Sequence, residues 1–300
     1  MRANSMCLFC MLRKQDKLVR QFDNEEKKAG YLHRVLEILY KYGQSESAPW
    51  LAERINELYE DYWGKPDYTP IKHKYNRLLL DKEKEIEQRI RQSDDCIKEC
   101  IKYVCAANYI DFSAVENISE QLLEELLNHT EAVSEKEYSQ FIRDLEKAHK
   151  LAYLTDNCGE IVLDKLFIRF IRERYPSVQV YVIVRGKDVI NDASVSDARE
   201  VGLTELVPCI GNGNGAPGSV IKRFSEKAKK ITLDADLIIA KGQGNFEGLF
   251  GEGLNPYYFF LCKCELFVRR FGLRQFESVF IKEERIASLL DVHCRNGGIR

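Results

Sequence analysis

Apolar residues recur at helical spacing through the first half of the chain and in short unbroken runs through the second. From Asn24 to about His149 the pattern is helical almost throughout. Leu32, Val35, Leu36 and Leu39 fall at i, i+3, i+4 and i+7, and Leu51, Ile55, Leu58 and Tyr62 repeat that stripe. Pro49, Gly64, Pro66 and Pro70 punctuate the helices. A charged helix follows with Tyr75, Leu78, Leu79, Ile86 and Ile90 on its apolar side, its interspersed lysines and glutamates reading as a solvated face. Further helical segments cover 119–128 and 134–149. No period repeats, so residues 1–149 read as a helical domain and not a solenoid.

From residue 150 the pattern becomes alternating strand and helix, the sign of an α/β fold with a mostly parallel sheet over 150–300. Leu151–Leu154 and Val178–Val184 read as buried strands, Leu206–Ile210 and Leu237–Ala240 as two more, and Phe259–Phe267 as the last. Between them lie a helix through Ile161, Leu163, Leu166, Phe167 and Phe170, a short one near Ser196–Val201, and a basic amphipathic one over Ser219–Lys230. The tail beyond Phe280 is polar and predicts nothing.

Strand after strand runs into a loop of charged, amide or glycine residues. Three of these ends offer Asp156-Asn157, Asn191-Asp192 and Lys241. Two carboxylates with amide oxygens suit Mg²⁺ or Mn²⁺, which prefer oxygen ligands. Lys241 offers a point charge to a phosphate and Arg185 a planar fork. The backbone N–H groups of Gly159 and Glu160, at a helix start, would complete an anion cradle. Cation, lysine and helix N-terminus on one point is what phosphoryl transfer requires. A single turn of this kind is an ordinary strand-to-helix connection; three on consecutive strands favour a site. Asn108 and Asp111, where a helix ends on small residues, read by themselves as a helix stop and the cap of the next element. Gly211–Gly218 follows a strand, but its spacing is not that of a dinucleotide fingerprint and Pro217 sits where the helix would begin, so it reads as a mobile loop over the site or a plain turn.

Composition narrows the classes. Three hundred residues with 45% hydrophobic and 31% charged side chains and a net charge of −2 describe an ordinary globular chain. Without a basic excess or a long apolar run, neither nucleic acid nor membrane is an expected partner. The N-terminus lacks the apolar core of a signal peptide, so a cytoplasmic location is expected. The ten cysteines then read as mostly reduced, buried small hydrophobes, and the lone Cys7-Leu-Phe-Cys10 pair as structural thiols. The five scattered histidines lack metal-ligand spacing.

On these motifs the chain resembles the damage-control phosphatases, the metal-dependent family formerly catalogued as domain of unknown function eighty-nine, and within it the prokaryotic branch bearing an N-terminal CxxC. The resemblance rests on CLFCMLRKQ at 7–15, AANYIDF at 106–112, LTDNCGEIVLDKL at 154–166, VRGKDVINDAS at 184–194 with Asp197-Ala198, and DADLIIAKGQGNFE at 234–247. It implies a helical domain packed on a three-layer α/β/α sandwich, with the site at the strand ends. It implies that Asp156, Asn157 and Asp192 bind a divalent cation such as Mn²⁺, Mg²⁺, Co²⁺ or Ni²⁺. Lys241 and Glu160 would contact the ligand, Asn108 would reach the site from the helical domain, and Asn245 joins Gly159 and Arg185 as a candidate substrate contact. The activity implied is hydrolysis of small phosphorylated metabolites, sugar phosphates or damaged cofactor precursors, with Asp156, Asp192 and Lys241 as its catalytic group. Two alternatives stand beside it: an S-adenosylmethionine-dependent carboxyl methyltransferase, and a phosphometabolite-binding protein without turnover. The oligomeric state is left open.

Overall fold

The computed structural model describes residues 1–109 and 132–286; the helix expected over 119–128 and Asp111 lie outside them. The chain opens with a helix that the apolar pattern did not announce, α1 (Ser5–Val19), whose start is capped by the Asn4 side chain accepting from the Cys7 N–H. With α2 (Glu25–Tyr42) and α3 (Ala48–Trp63) it closes on a small core of its own, in which Val19, Tyr31, Val35, Leu39, Leu51 and Ile55 are buried.

The next three helices have a different job. From α4 (Thr69–Arg91), α5 (Cys96–Ala107) and α6 (Glu135–Lys147), residues such as Leu79, Ile101 and Phe141 enter one core with the sheet. The strands are β1 (Lys150–Leu154), β2 (Gln179–Val184), β3 (Cys209–Gly211), β4 (Leu237–Lys241), β5 (Tyr257–Leu261) and β6 (Ser278–Lys282). On that face Leu151, Tyr153, Val182, Ile239 and Phe259 meet α4–α6 together with α7 (Glu160–Arg174), α8 (Val195–Glu200) and α9 (Leu203–Leu206). On the other face Leu154, Ile183, Ala240, Tyr258 and Phe260 meet α10 (Glu226–Leu233), α11 (Gln243–Leu249) and α12 (Glu265–Phe271). Helices on both faces make the strands unbroken apolar runs, and the result is the expected three-layer α/β/α sandwich behind an all-helical N-terminal region.

The sheet order is β3-β2-β1-β4-β5-β6, with β6 antiparallel to β5 and the other neighbours parallel. Leu154 registers with Ile183 on one side and Ala240 on the other, so β1, β2 and β4 end level. From β1 the chain crosses through α7 to β2, while β4 lies on the opposite side of β1. The strand order therefore reverses at β1, and a crevice opens beyond the carboxyl ends of β1 and β4.

Several boundaries differ from those read in the sequence. The apolar run Phe259–Phe267 is the end of β5 and the start of α12, split by a turn at Cys262–Cys264. Both halves are buried in one core, and a short buried strand and a short buried helix look alike in periodicity. The third strand begins only at Cys209, because Leu206 closes α9. The helix expected from Ser219 begins at Glu226, where Ser225 caps it by accepting from the Ala228 N–H; a 3₁₀ turn, Ile221–Arg223, precedes it. The edge strand β6 continues past Phe280 into the polar tail.

Candidate active site

The turn after β1 and the loop after β2 are sewn together main chain to main chain. Ala193 N–H donates to the Asp156 carbonyl at 2.7 Å, Cys158 N–H to the Asn191 carbonyl at 2.8 Å, and Asn157 and Asp192 form an antiparallel bridge. The Asn191 side chain adds a bond to Asn157 Oδ1 at 2.6 Å. Delivering Asn191 and Asp192 there leaves Ile190 at φ 35°, a conformation that costs a β-branched residue about 1–3 kcal/mol. These contacts bring Asp156, Asn157 and Asp192 onto one surface from two strands.

A third strand supports it from β4. Gly242, at φ 79°, lets the chain pass so close to Asp156 that a Cβ there would lie 2.0 Å from Asp156 Oδ2. Asn245, fully buried, donates to the carbonyls of Thr155 (2.9 Å) and Lys241 (2.6 Å) and accepts from Arg185 and the Ser219 hydroxyl. It is a brace between strand ends, and its contribution reaches the cleft through Arg185. Arg185 is 2% exposed; its Nε donates to Asp192 Oδ2 at 2.5 Å, and Nη2 lies 3.7 Å from Asp156 Oδ1 without a hydrogen-bond partner.

Beneath this surface lies a buried ionic layer. Lys241 is wholly buried and pairs with Glu160 and, at 2.9 Å, with Asp164, which also accepts from the Tyr153 hydroxyl at 2.6 Å. Burial pushes Asp164 up to about 6 against the pull of Lys241. Lys241, which burial would tend to discharge, is held charged by Asp164 and Glu160. Asn108, buried at the end of α5, spans both levels. Its amide nitrogen donates to Asp156 Oδ2 at 2.8 Å and Glu160 Oε2 at 3.0 Å, and its oxygen accepts from the Leu261 N–H. Asn108 thus ties the end of α5 to Asp156 and Glu160. Lys241 and Glu160 face each other below the floor and do not line the cleft. The N–H groups expected to cradle an anion are spent inside the protein, Gly159 on Asn76 Oδ1 (2.7 Å) and Glu160 on the Cys158 carbonyl (2.8 Å).

Asn76 and Lys72 escaped the sequence reading. Asn76 is fully buried and, besides Gly159, bonds Asp197 at 3.0 Å and Glu200 at 2.8 Å. Lys72 pairs with Asp197 at 2.6 Å. Both residues interrupt the apolar stripe that runs through Tyr75 and Leu79, and that interruption was the available signal. Replacing Asn76 with alanine orphans the Gly159 N–H and weakens the hold on Asp197. A loss of about 1–3 kcal/mol is expected, read as a lower urea midpoint at unchanged m-value.

Above the floor is a cleft of about 260 Å³. Met11, Lys14 and Gln15 of α1 and Ala52, Ile55 and Asn56 of α3 roof it, opposite Asp156, Asn157, Asn191 and Asp192. The Gly211–Gly218 stretch is a pinned turn that gives Pro217 to the wall; Asn212 Oδ1 accepts from the Gly186 and Asn214 N–H groups, and Gly215 N–H donates to Glu53. Lys263, from the turn that follows β5, also lines the cleft. Cys10 is exposed on α1, Cys7 is half-buried, and neither lines the cleft.

Asp156 stands beside Asp192 on the floor and above Glu160, and their charges oppose its own. Burial pushes the Asp156 carboxyl up to about 8, with Glu160 and Asp192 adding to the shift and Lys263 and Arg185 opposing it. Among the described residues no group of three or more His, Cys, Asp or Glu side chains is arranged to hold a metal. The oxygen donors here are the Asp156 and Asp192 carboxylates and Asn157 Oδ1, which also accepts from Asn191, while Asn157 Nδ2 donates to Asp156 and Glu160. A divalent cation would relieve the mutual repulsion of the buried carboxylates. These donors fit such an ion.

A family model described as the damage-control phosphatase ARMT1-like domain matches residues 3–279. A damage-control phosphatase of Archaeoglobus fulgidus is 30% identical over 285 residues, covering 91% of this chain and 96% of that protein. A damage-control phosphatase of Pyrococcus horikoshii is 33% identical over 190 residues, 60% of this chain and 64% of its own. The crystal structure of a DUF89 family protein from Pyrococcus horikoshii shares the fold, with a TM-score of 0.80 at 24% identity over 94% of this chain and 99% of that one. With the family model spanning nearly its whole length, the chain belongs to the ARMT1-like damage-control phosphatases.

Proposed function

We propose that this protein is a metal-dependent phosphomonoester hydrolase acting on small phosphorylated metabolites such as sugar phosphates or damaged cofactor precursors. The observation that carries the reading is the convergence of Asp156, Asn157 and Asp192 from two strand ends on the floor of one cleft. These three residues would hold Mn²⁺ or Mg²⁺, with Co²⁺ or Ni²⁺ as further candidates. Such an ion, when bound, supplies Lewis-acid polarisation of a phosphoryl oxygen and an acidified water. The rest is the work of this chain. Lys263 brings a positive charge to the cleft wall for the phosphate oxygens. Arg185, hydrogen-bonded to Asp192 and within 3.7 Å of Asp156, places one positive charge between the two carboxylates. Asn108 and the Lys241 layer fix Glu160 and Asp156 from below, so Lys241 serves the reaction as a buried counter-charge. The described cysteines are all free thiols, which suits a reducing cytoplasm. No described helix is long and apolar enough to cross a membrane.

The test is phosphate release from p-nitrophenyl phosphate and a panel of sugar phosphates in the presence of each metal. Turnover supports the reading, and its absence with every metal, in protein shown to bind one, refutes it. Gly242→Ala belongs in the same assay. The added methyl must displace the Asp156 carboxylate, and a misplacement near 1 Å costs about a hundredfold in rate, so a loss of that size is expected.

A further inference from the structure

We infer that Gln15 is a specificity-determining residue, donating a hydrogen bond to an oxygen on the carbon skeleton of the phosphorylated substrate, and that Tyr31 is its positioning residue. Met11, Lys14 and Gln15 lie at i, i+3 and i+4 on α1, which turns them together over the cleft, opposite Asp156 and Asp192. Gln15 is only 5% exposed although it lines that cleft. Its Oε1 accepts from the Tyr31 hydroxyl at 2.6 Å. Tyr31 is 0% exposed, packed edge-on against Tyr59, Tyr62 and Trp63, and burial holds its phenol in the protonated form. A buried phenol proton needs an acceptor, and that requirement fixes which way the Gln15 amide is turned. The carbonyl faces Tyr31, so the NH₂ is the end of the amide that Gln15 can offer to the cleft it lines. A ligand that displaces water from this amide must offer it an acceptor in the water's place, or bind more weakly.

The phosphoryl end of the substrate belongs on the floor, so an acceptor at the roof is a hydroxyl or carbonyl oxygen of the skeleton. The neighbouring roof residues suit the same ligand: Ala52 and Ile55 offer apolar surface to its C–H face, and Asn56 a second amide. This inference rests on the floor being a phosphate-ester site.

The test reads binding without turnover. Dissociation constants of glucose 6-phosphate, glucose 1-phosphate, fructose 6-phosphate and inorganic phosphate are measured by calorimetry for the wild type, Gln15→Leu, Tyr31→Phe and the double variant. The double variant removes donor and acceptor together, so no phenol proton is orphaned and the fold is retained. Gln15→Leu and the double variant should weaken the tightest hexose phosphate about tenfold and leave inorganic phosphate within twofold. Tyr31→Phe should weaken it about threefold, since the amide is then free to turn. A parallel loss for inorganic phosphate, an unchanged ratio, or wild-type protein that binds none of the three hexose phosphates would overturn the inference. Wild-type phosphate release, measured separately, judges the hydrolase reading alone.

Discussion

Asp192→Ala is expected to lower phosphate release by at least about a hundredfold while the protein stays folded. Loss of an outer partner of a metal ligand already costs about 10–100-fold, and Asp192 is proposed as a ligand itself. The fold should survive because the charge that Asp192 neutralises has a second carboxylate within reach. Arg185 Nη2 is 3.7 Å from Asp156 Oδ1 and otherwise unpartnered. Steady-state kinetics, a Mn²⁺ titration and an unfolding curve on one preparation check all three statements. A folded variant with wild-type turnover and wild-type metal affinity would remove Asp192 from the site.

Lys241→Met should act first on stability. The lysine is the cation between two buried carboxylates, Glu160 and Asp164. Breaking a buried pair by removing one partner costs about 3–5 kcal/mol, because the remaining charge has no counter-ion. The effect is expected in the denaturant midpoint, with activity falling as Glu160 loses its anchor. A lysine whose task was to touch the phosphate would behave in the opposite way, losing turnover at unchanged stability. The two readouts therefore separate a buried counter-charge from a substrate contact. Glu160→Gln combined with Lys241→Met should recover part of the lost stability, because it removes one of the stranded charges.

That Asp156, Asn157 and Asp192 would meet was legible because they lie on loops that follow unmistakable buried strands. Asp156 and Asn157 follow β1 within 3 residues and Asp192 follows β2 by 8, and a parallel sheet leads the loops that carry them out at its carboxyl edge. The roles of Lys241, Gly159 and Asn245 were less legible. A strand-end lysine reads as a free charge until the helix beneath it is known to present Glu160 and Asp164 to it. Likewise, an N–H at a helix start reads as an anion donor until Asn76 arrives from α4 to take it. The roof was the least visible part. Met11 and Gln15 fall in the 7–15 motif and Asn56 in a plain helix stripe, and only the packing of α1 and α3 places them at the cleft. Helix boundaries after Leu206 were misread for the same reason: in a chain buried on both faces, apolar runs do not reveal the period. Division of the early helices between a separate small core and the sheet's own core is likewise a matter of packing.

The most direct test of the central claim is a metal titration of stripped protein. The wild type is treated with chelator, dialysed, and assayed for phosphate release as Mn²⁺ is added back, with Asp156→Asn and Asp192→Ala beside it. The account predicts no release from the stripped protein, saturable recovery in the wild type, and little or none in either variant. Full turnover by the stripped wild type, or recovery in both variants at the wild-type metal concentration, would contradict it.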